Sequence, residues 1–320
     1  MGHEGIGLKH INLITVRKDF ETIEIVLLMT FRILNRQVLS NNIKRLDIEA
    51  PLIVRQVWLG QFVILSIKPH DDKISLPIID ADSQRKSITL IFQETDAALI
   101  RLGQLQINDE IYLVAGPFGN GVTIEKWGSV ACIADGIGIA QILSVARALK
   151  QVGNKVMNFI GASTRASLIL QSQMRLISYK IFMATEDGSF EKRGRILDAF
   201  REFLNKDKVD RVFTAGSAEL MEGVCALTRP KNIKTWVCLN PVMLDGTGIC
   251  GSCRVTVDGK IRLACVDGPI FDGHSVNFED YKIRLNATKE FAWDNLKSFV
   301  SPKRSESKIF EKFLLGILKK

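Results

Sequence analysis

Four side chains in one short stretch carry the plainest chemistry of this sequence. Asp245, Cys250, Cys253 and Cys265 follow the pattern D-x4-C-x2-C-x11-C. That is the plant-type iron–sulfur spacing C-x4-C-x2-C…C with Asp in the place of the first Cys. Thiolates suit iron and zinc alike, and a carboxylate is an acceptable hard ligand for ferric iron. A loop that wraps four ligands around a compact two-iron core must turn tightly, and Gly246, Gly248 and Gly251 supply permissive backbone. The competing reading is a structural zinc site of three Cys and one further ligand. Zinc knuckles usually pair two short-spaced motifs, whereas this chain has one C-x-x-C. A thioredoxin-like pair would leave Cys265 without a role, and Cys250 does not open a helix after a βαβ strand. The expectation is a 2Fe-2S cluster on Asp245, Cys250, Cys253 and Cys265. No catalytic residue is assigned.

The other three cysteines, Cys132, Cys225 and Cys238, sit among apolar neighbours, where a free thiol behaves as a small hydrophobe. They read as core. The N-terminus lacks the order of a secretory leader and of a myristoylation motif, so the clustered cysteines point to metal or redox chemistry and the cytoplasm is the expected compartment.

Three units must position the cluster segment. From Phe31 to Val122, short β-type runs at Ile43–Ile48, Phe62–Ile67, Ser87–Phe92 and Glu110–Val114 are separated by turn residues, which predicts a small β-barrel without a long helix. The texture then changes. Strands at Ser129–Ile133, Lys155–Ile160, Lys180–Ala184, Arg211–Ala215 and Lys234–Val237 alternate with helical stretches at Ala140–Gln151, Ser167–Ile177, Arg195–Asn205 and Ala218–Leu227. Such alternation predicts a Rossmann-like parallel sheet with crossover helices, closing near Lys234–Val237. The expected units are an N-terminal extension (1–29), a barrel (30–124), an α/β domain (125–236), a cluster domain (237–282) and a helical basic tail (283–320). The leading segment reads as an added strand pair or a packing arm. In the tail, Ile309, Phe313 and Ile317 share a helical face that docks on this body, on another subunit or on a membrane surface.

Composition narrows the function classes. The chain has 320 residues, 46% of them hydrophobic, and a formal charge of +8. No apolar run approaches the ~20 residues of a bilayer span. The basic residues are scattered, with no aromatic-interleaved patch and no nucleic-acid module, so nucleic acid is not the expected partner. A basic surface that docks an acidic redox partner is.

The run from Leu239 through Asp245 to Val255, then Ala264-Cys265-Val266-Asp267-Gly268-Pro269 and Phe271-Asp272-Gly273-His274, closely resembles the small subunit of NADH-dependent ferredoxin:NADP oxidoreductase, also called the sulfide dehydrogenase beta subunit. That family is related to the electron-transfer subunit of dihydroorotate dehydrogenase, where the Asp position is Cys. The likeness covers roughly Phe31 to Phe291, with further matches at Gly60-Gln61-Phe62-Val63, Phe92-Gln93-Glu94, Ala115–Gly119, Glu186–Ser189 and Leu227–Pro230. It implies a ferredoxin-reductase-like β-barrel for FAD, then a pyridine-nucleotide domain, then the cluster. It also implies electron transfer between NAD(P)H, FAD and a 2Fe-2S cluster. The implied partner is a larger flavin and iron–sulfur subunit resembling the small chain of glutamate synthase, with ferredoxin as a second candidate. Pro77, Gly116, Pro117, Gly136, Gly138, Glu186 and Asp187 are the implied cofactor contacts, with Arg165 near the nucleotide.

Several of those positions depart from the family pattern. Its Arg-x-Pro-(Leu/Tyr)-(Ser/Thr) motif, which holds the flavin and its diphosphate, aligns on Pro77 with Ser75 for Arg and Ile79 for Ser or Thr. Losing a charge-assisted hydrogen bond of roughly 1.5–3 kcal/mol weakens binding about tenfold or more. The later Gly-x-x-(Ser/Thr)-like turn is Asp96-Ala97-Ala98-Leu99, and the nucleotide loop is Ala134-Asp135-Gly136-Ile137-Gly138-Ile139-Ala140-Gln141. Two readings stand: a working flavin oxidoreductase subunit with divergent contacts, or a non-catalytic relay or scaffold that keeps the cluster and has lost FAD, NAD(P) or both.

Overall fold

The computed structural model describes residues 11–15, 25–29 and 31–287. Two seven-stranded sheets dominate it. The first is antiparallel and runs, edge to edge, through Glu110–Ile111, Phe31–Ser40, Ile43–Glu49, Ser87–Gln93, Ile74–Asp82, Phe62–Ser66 and Leu113–Phe118. Ile33, Leu46, Ile48, Leu65, Ile88 and Leu90 are fully buried inside it.

The second sheet has the order Lys192–Arg193, Lys180–Thr185, Lys155–Ala162, Ser129–Asp135, Arg211–Ala215, Lys234–Cys238, Ile270–Asp272. Its first six strands are parallel. Alternation along one strand shows why the chain buries both faces. Val130, Cys132 and Ala134 pack toward helix Gly138–Gln151, while Ala131 and Ile133 pack toward helices Ile196–Leu204 and Ala218–Thr228. Phe159 anchors the second face, with ring centroids 4.5 Å from Phe182, 5.2 Å from Phe200 and 5.3 Å from Phe203. Each such pair adds about 0.5–1.5 kcal/mol beyond area burial.

A third core joins the two sheets through the cysteine segment. Phe62 and Ile64 of the barrel, Met221 and Cys225 of helix Ala218–Thr228, and Met243, Cys253, Val255, Cys265 and Phe271 share it. Cys132, Cys225 and Cys238 are all buried, as their apolar neighbours imply, and burial pushes the Cys225 and Cys238 thiols up to about 12.

Local readings of the sequence needed three corrections. The parallel sheet does not close at Lys234–Cys238, because Ile270–Asp272 returns after the cysteine segment and pairs antiparallel to it. The stretch at 167–177 is a short 3-10 turn, Arg165–Ser167, followed by helix Gln171–Ile177. Asp96-Ala97-Ala98-Leu99 is not a free turn: Asp96 caps helix Ala97–Gln104. The leading segment does contain a strand pair, Ile11–Thr15 antiparallel to Ile25–Met29. The apolar face at Ile309, Phe313 and Ile317 lies outside the described residues. No helix among the described residues is long and apolar enough to cross a membrane.

Candidate iron–sulfur centre and nucleotide cleft

The cysteine loop is shaped by its carboxylate. Asp245 Oδ1 accepts from the amides of Thr247 at 2.8 Å and Gly248 at 3.1 Å, and Oδ2 accepts from the Cys250 amide at 2.6 Å. The Thr247 amide first, and the other loop bonds with it, hold the Asp245 carboxyl below the usual carboxylate range. The backbone is left-handed at Gly246 (φ +73) and Gly248 (φ +88), and a Cβ at Gly246 would strike the Phe118 ring at 2.7 Å. Both conformation and space therefore demand glycine there.

The thiols fall on two sides of this loop. Cys253 and Cys265 are buried, and the Cys265 amide donates to Cys253 Sγ at 3.4 Å. Cys250 is exposed, with Sγ 3.2 Å from Ser252 Oγ. Burial, followed by the neighbouring Cys253, pushes the Cys265 thiol up to about 12. Metal binding at this loop therefore displaces a proton that the bare protein retains. Two thiols and an ionised carboxylate on one tight loop, with the Cys265 thiol brought back to it by the strand pair Arg254–Val257 and Lys260–Leu263, are a donor set that fits an iron–sulfur cluster. Among the described residues no three His, Cys, Asp or Glu side chains are gathered as around one metal ion.

A cleft of about 650 Å³ opens at the carboxyl ends of the parallel strands, where strand order reverses between Ser129–Asp135 and Arg211–Ala215. Such switch points seat ligands in open α/β sheets. Asp135, Gly136, Gly161, Glu186, Arg195, Gly216, Ser217 and Glu219 line it, with Asn42 and Gln93 contributed by the barrel. Asp135 reaches across to the next strand's loop, accepting from the Ser217 amide at 2.7 Å and from the Ser217 hydroxyl. Burial raises the Asp135 carboxyl above its usual range, and Glu186 and Glu219 raise it further against the pull of Ser217. The cleft mouth is thus acidic where nucleotide phosphates would approach.

The structure sorts the expected contacts. Gly136 (φ +51) faces open space in the cleft, and Glu186 lines it. Gly138 serves packing, since a Cβ there would meet the Gly216 backbone at 2.5 Å. Asp187 turns into its own loop, accepting from the Ser189 hydroxyl at 2.7 Å, and Arg165 stacks over the Phe190 ring at 5.2 Å. Gly116 and Pro117 lie on strand Leu113–Phe118 beside Phe62, away from the cleft lining. Ser217, Glu219 and Arg195 escaped sequence reasoning. The Ser N-cap before helix Ala218–Thr228 was a visible signal for the first of them.

Pro77 lines a different space, between Ile74–Asp82 and helix Gly138–Gln151, and only about 30 Å³ is left there. That space is smaller than the roughly 300–1,000 Å³ of a cofactor site, so Pro77 does not line a cofactor-sized cavity.

Residues 240–277 match the iron–sulfur cluster binding domain of dihydroorotate dehydrogenase B. Over 243 residues the chain is 33% identical to a dihydroorotate dehydrogenase B electron transfer subunit homolog of Thermotoga maritima, covering 76% of this chain and 86% of that one. The electron transfer subunit of Clostridium acetobutylicum is 27% identical, with 83% and 98% covered. Among solved structures, the NADH-dependent reduced ferredoxin-NADP oxidoreductase superposes with a TM-score of 0.79 at 29% identity, covering 84% of this chain and 98% of that chain. Phthalate dioxygenase reductase, at 15% identity and TM-score 0.52, shares the fold over 72% of this chain and 86% of its own. The architecture is that of ferredoxin reductases, a barrel and a parallel sheet with an iron–sulfur binding segment behind them.

Proposed function

Since the chain belongs to the family of dihydroorotate dehydrogenase B electron transfer subunits and their homologues, we propose that it is an electron-transfer subunit whose Asp245, Cys250, Cys253 and Cys265 hold a 2Fe-2S cluster. The observation that carries this reading is the buried pair Cys253 and Cys265, set against an exposed Cys250, on the segment that matches the iron–sulfur domain. When bound, such a cluster supplies a one-electron carrier tuned by burial and by hydrogen bonds to its sulfurs.

The chain's own residues give the site two faces. Met243, Val255, Phe271 and the barrel's Phe62 exclude water from one side. On the other, Cys250 and Ile249, which is 91% exposed, face outward, and the strand pair that follows exposes Arg254, Lys260 and Arg262, the last paired with Asp267 at 3.6 Å. An apolar centre with a basic rim suits an acidic redox partner. The partner is a larger subunit, which in this proposal is a flavin and iron–sulfur protein resembling the small chain of glutamate synthase, with ferredoxin as a second acceptor. Pyridine nucleotide would take the cleft at the switch point, beside Gly136 and Glu186. Residues 30–124, 125–236 and 237–282 are then the barrel, nucleotide and cluster units.

Electron paramagnetic resonance of the anaerobically purified, chemically reduced protein tests the role. A one-electron signal of a reduced 2Fe-2S centre that bleaches when an oxidised acceptor is added is expected. A protein with no reducible centre would remove it.

A further inference from the structure

The cleft at the switch point offers an anion one favourable seat and surrounds it with carboxylates. Helix Gly138–Gln151 starts from the turn Asp135-Gly136-Ile137, and no side chain caps its N-terminus. Gly136 (φ +51) leaves open space in front of that turn. A helix N-terminus after the first parallel strand draws a nucleotide diphosphate through its amides and dipole. Among the described residues, the charged groups lining the cleft are Asp135, Glu186 and Glu219 against Arg195. The barrel side, Asn42, Ile43 and Gln93, adds no charge. Arg165 stacks over the Phe190 ring at 5.2 Å and lies outside the lining.

Asp135 belongs to the turn itself, and Ser217 holds its carboxylate. Oδ1 accepts from the Ser217 amide at 2.7 Å, and Oδ2 accepts from the Ser217 hydroxyl. Ser217 Oγ in turn accepts from the Leu220 amide at 3.2 Å as the N-cap of helix Ala218–Thr228. In that state the Ser217 proton is committed to the carboxylate, and a negative charge stands where a diphosphate approaches. A proton on Oδ2 reverses the bond. The acid O–H then donates to Ser217 Oγ, which keeps the Leu220 amide, and the Ser217 O–H is freed to donate into the cleft. One proton thus removes a repulsive charge and supplies a hydrogen-bond donor. The carboxyl is disposed to take it, because burial, with Glu186 and Glu219, raises it above its usual range against the pull of Ser217.

We propose that Asp135 is a proton-linked gate on this cleft: a nucleotide diphosphate binds with uptake of one proton from solvent at the Asp135 carboxyl, and Ser217 then donates to the ligand. Only the protonated fraction is competent, so affinity falls about tenfold per pH unit above the carboxyl's own value. This rests on the nucleotide reading of the cleft proposed above, and the experiment separates the two.

The full chain is titrated calorimetrically with NAD+ and with ADP-ribose, which keeps the diphosphate without the nicotinamide. Two buffers of different ionisation enthalpy at each pH count the protons exchanged. The wild type is expected to take up about one proton per ligand, with affinity falling as pH rises. Asp135→Asn, which keeps the side-chain shape, is expected to take up none and to bind at least about tenfold tighter than wild type near pH 8. Glu219→Gln is expected to keep the uptake, because it relieves repulsion without removing the titrating group. No uptake in the wild type, which needs no variant to fold, or uptake that persists in Asp135→Asn, overturns the gate and leaves the nucleotide reading standing. No binding of either ligand to wild type or Asp135→Asn at any pH overturns the nucleotide reading and the gate with it.

Discussion

The Cys265 amide points at the Cys253 sulfur across 3.4 Å, within a core that also holds Met243, Val255 and Phe271. An N–H directed at a ligating sulfur stabilises its thiolate charge, and such bonds set cluster potential along with burial. Two of the four candidate ligands are thus placed by packing before any metal arrives. The other two, Asp245 and Cys250, depend on a loop closed by backbone hydrogen bonds.

Cys253→Ser removes the most buried of the three candidate ligand thiols. It is expected to abolish stoichiometric iron and the visible absorbance, with circular dichroism checking that the parallel sheet survives. Full iron retention in this variant would sink the ligand assignment.

Asp245 has two roles that substitution separates. Asp245→Ala loses the three amide contacts and the carboxylate together, and is expected to lose iron. Asp245→Cys supplies a thiolate in the all-cysteine spacing and is expected to keep iron with altered g-values. Unchanged spectra in Asp245→Cys would mean that Asp245 shapes the loop without touching iron.

The half-buried carboxyl of Asp135 makes stability depend on pH. Its folded value lies above the unfolded one, so the folded state binds more protons between the two, and stability falls as pH rises from the unfolded value through the raised folded one. Urea midpoints measured from about pH 4 to pH 7 are expected to show this fall, and Asp135→Asn to flatten it. An identical slope in the variant would contradict the assignment.

Gly216 is held at φ +127, and a Cβ there would lie 1.9 Å from Asp135 Oδ1. Gly216→Ala is expected to cost about 1–3 kcal/mol through strained backbone and a displaced carboxylate. Chemical denaturation measures it, and a cost within about 0.5 kcal/mol, typical of neutral surface changes, would refute the packing argument.

The sequence carried the inner strands of the parallel sheet well because they are runs long enough to show apolar burial on both faces, as in Val130-Ala131-Cys132-Ile133, whereas the exposed two-residue edge strand Lys192–Arg193 gave no such signal. Ile270–Asp272 was illegible because three residues carry no period, and its pairing with Trp236–Cys238 depends on the whole cysteine segment folding back. Helix Ala97–Gln104 was legible in principle: Asp96 is a good N-cap, and Leu99, Leu102 and Leu105 follow at helical spacing. The cluster ligands stood out because their chemistry is local. The bond from Ser217 to Asp135 spans 82 residues and the seam at Ile79 joins the two large sheets, so neither could be seen without the fold.

Iron, zinc and acid-labile sulfide measured together on the anaerobically purified chain test the central claim most directly. Iron and sulfide in equal amounts at the stoichiometry of one 2Fe-2S cluster, with zinc absent, is the predicted result. Zinc without sulfide, or neither metal, would contradict it.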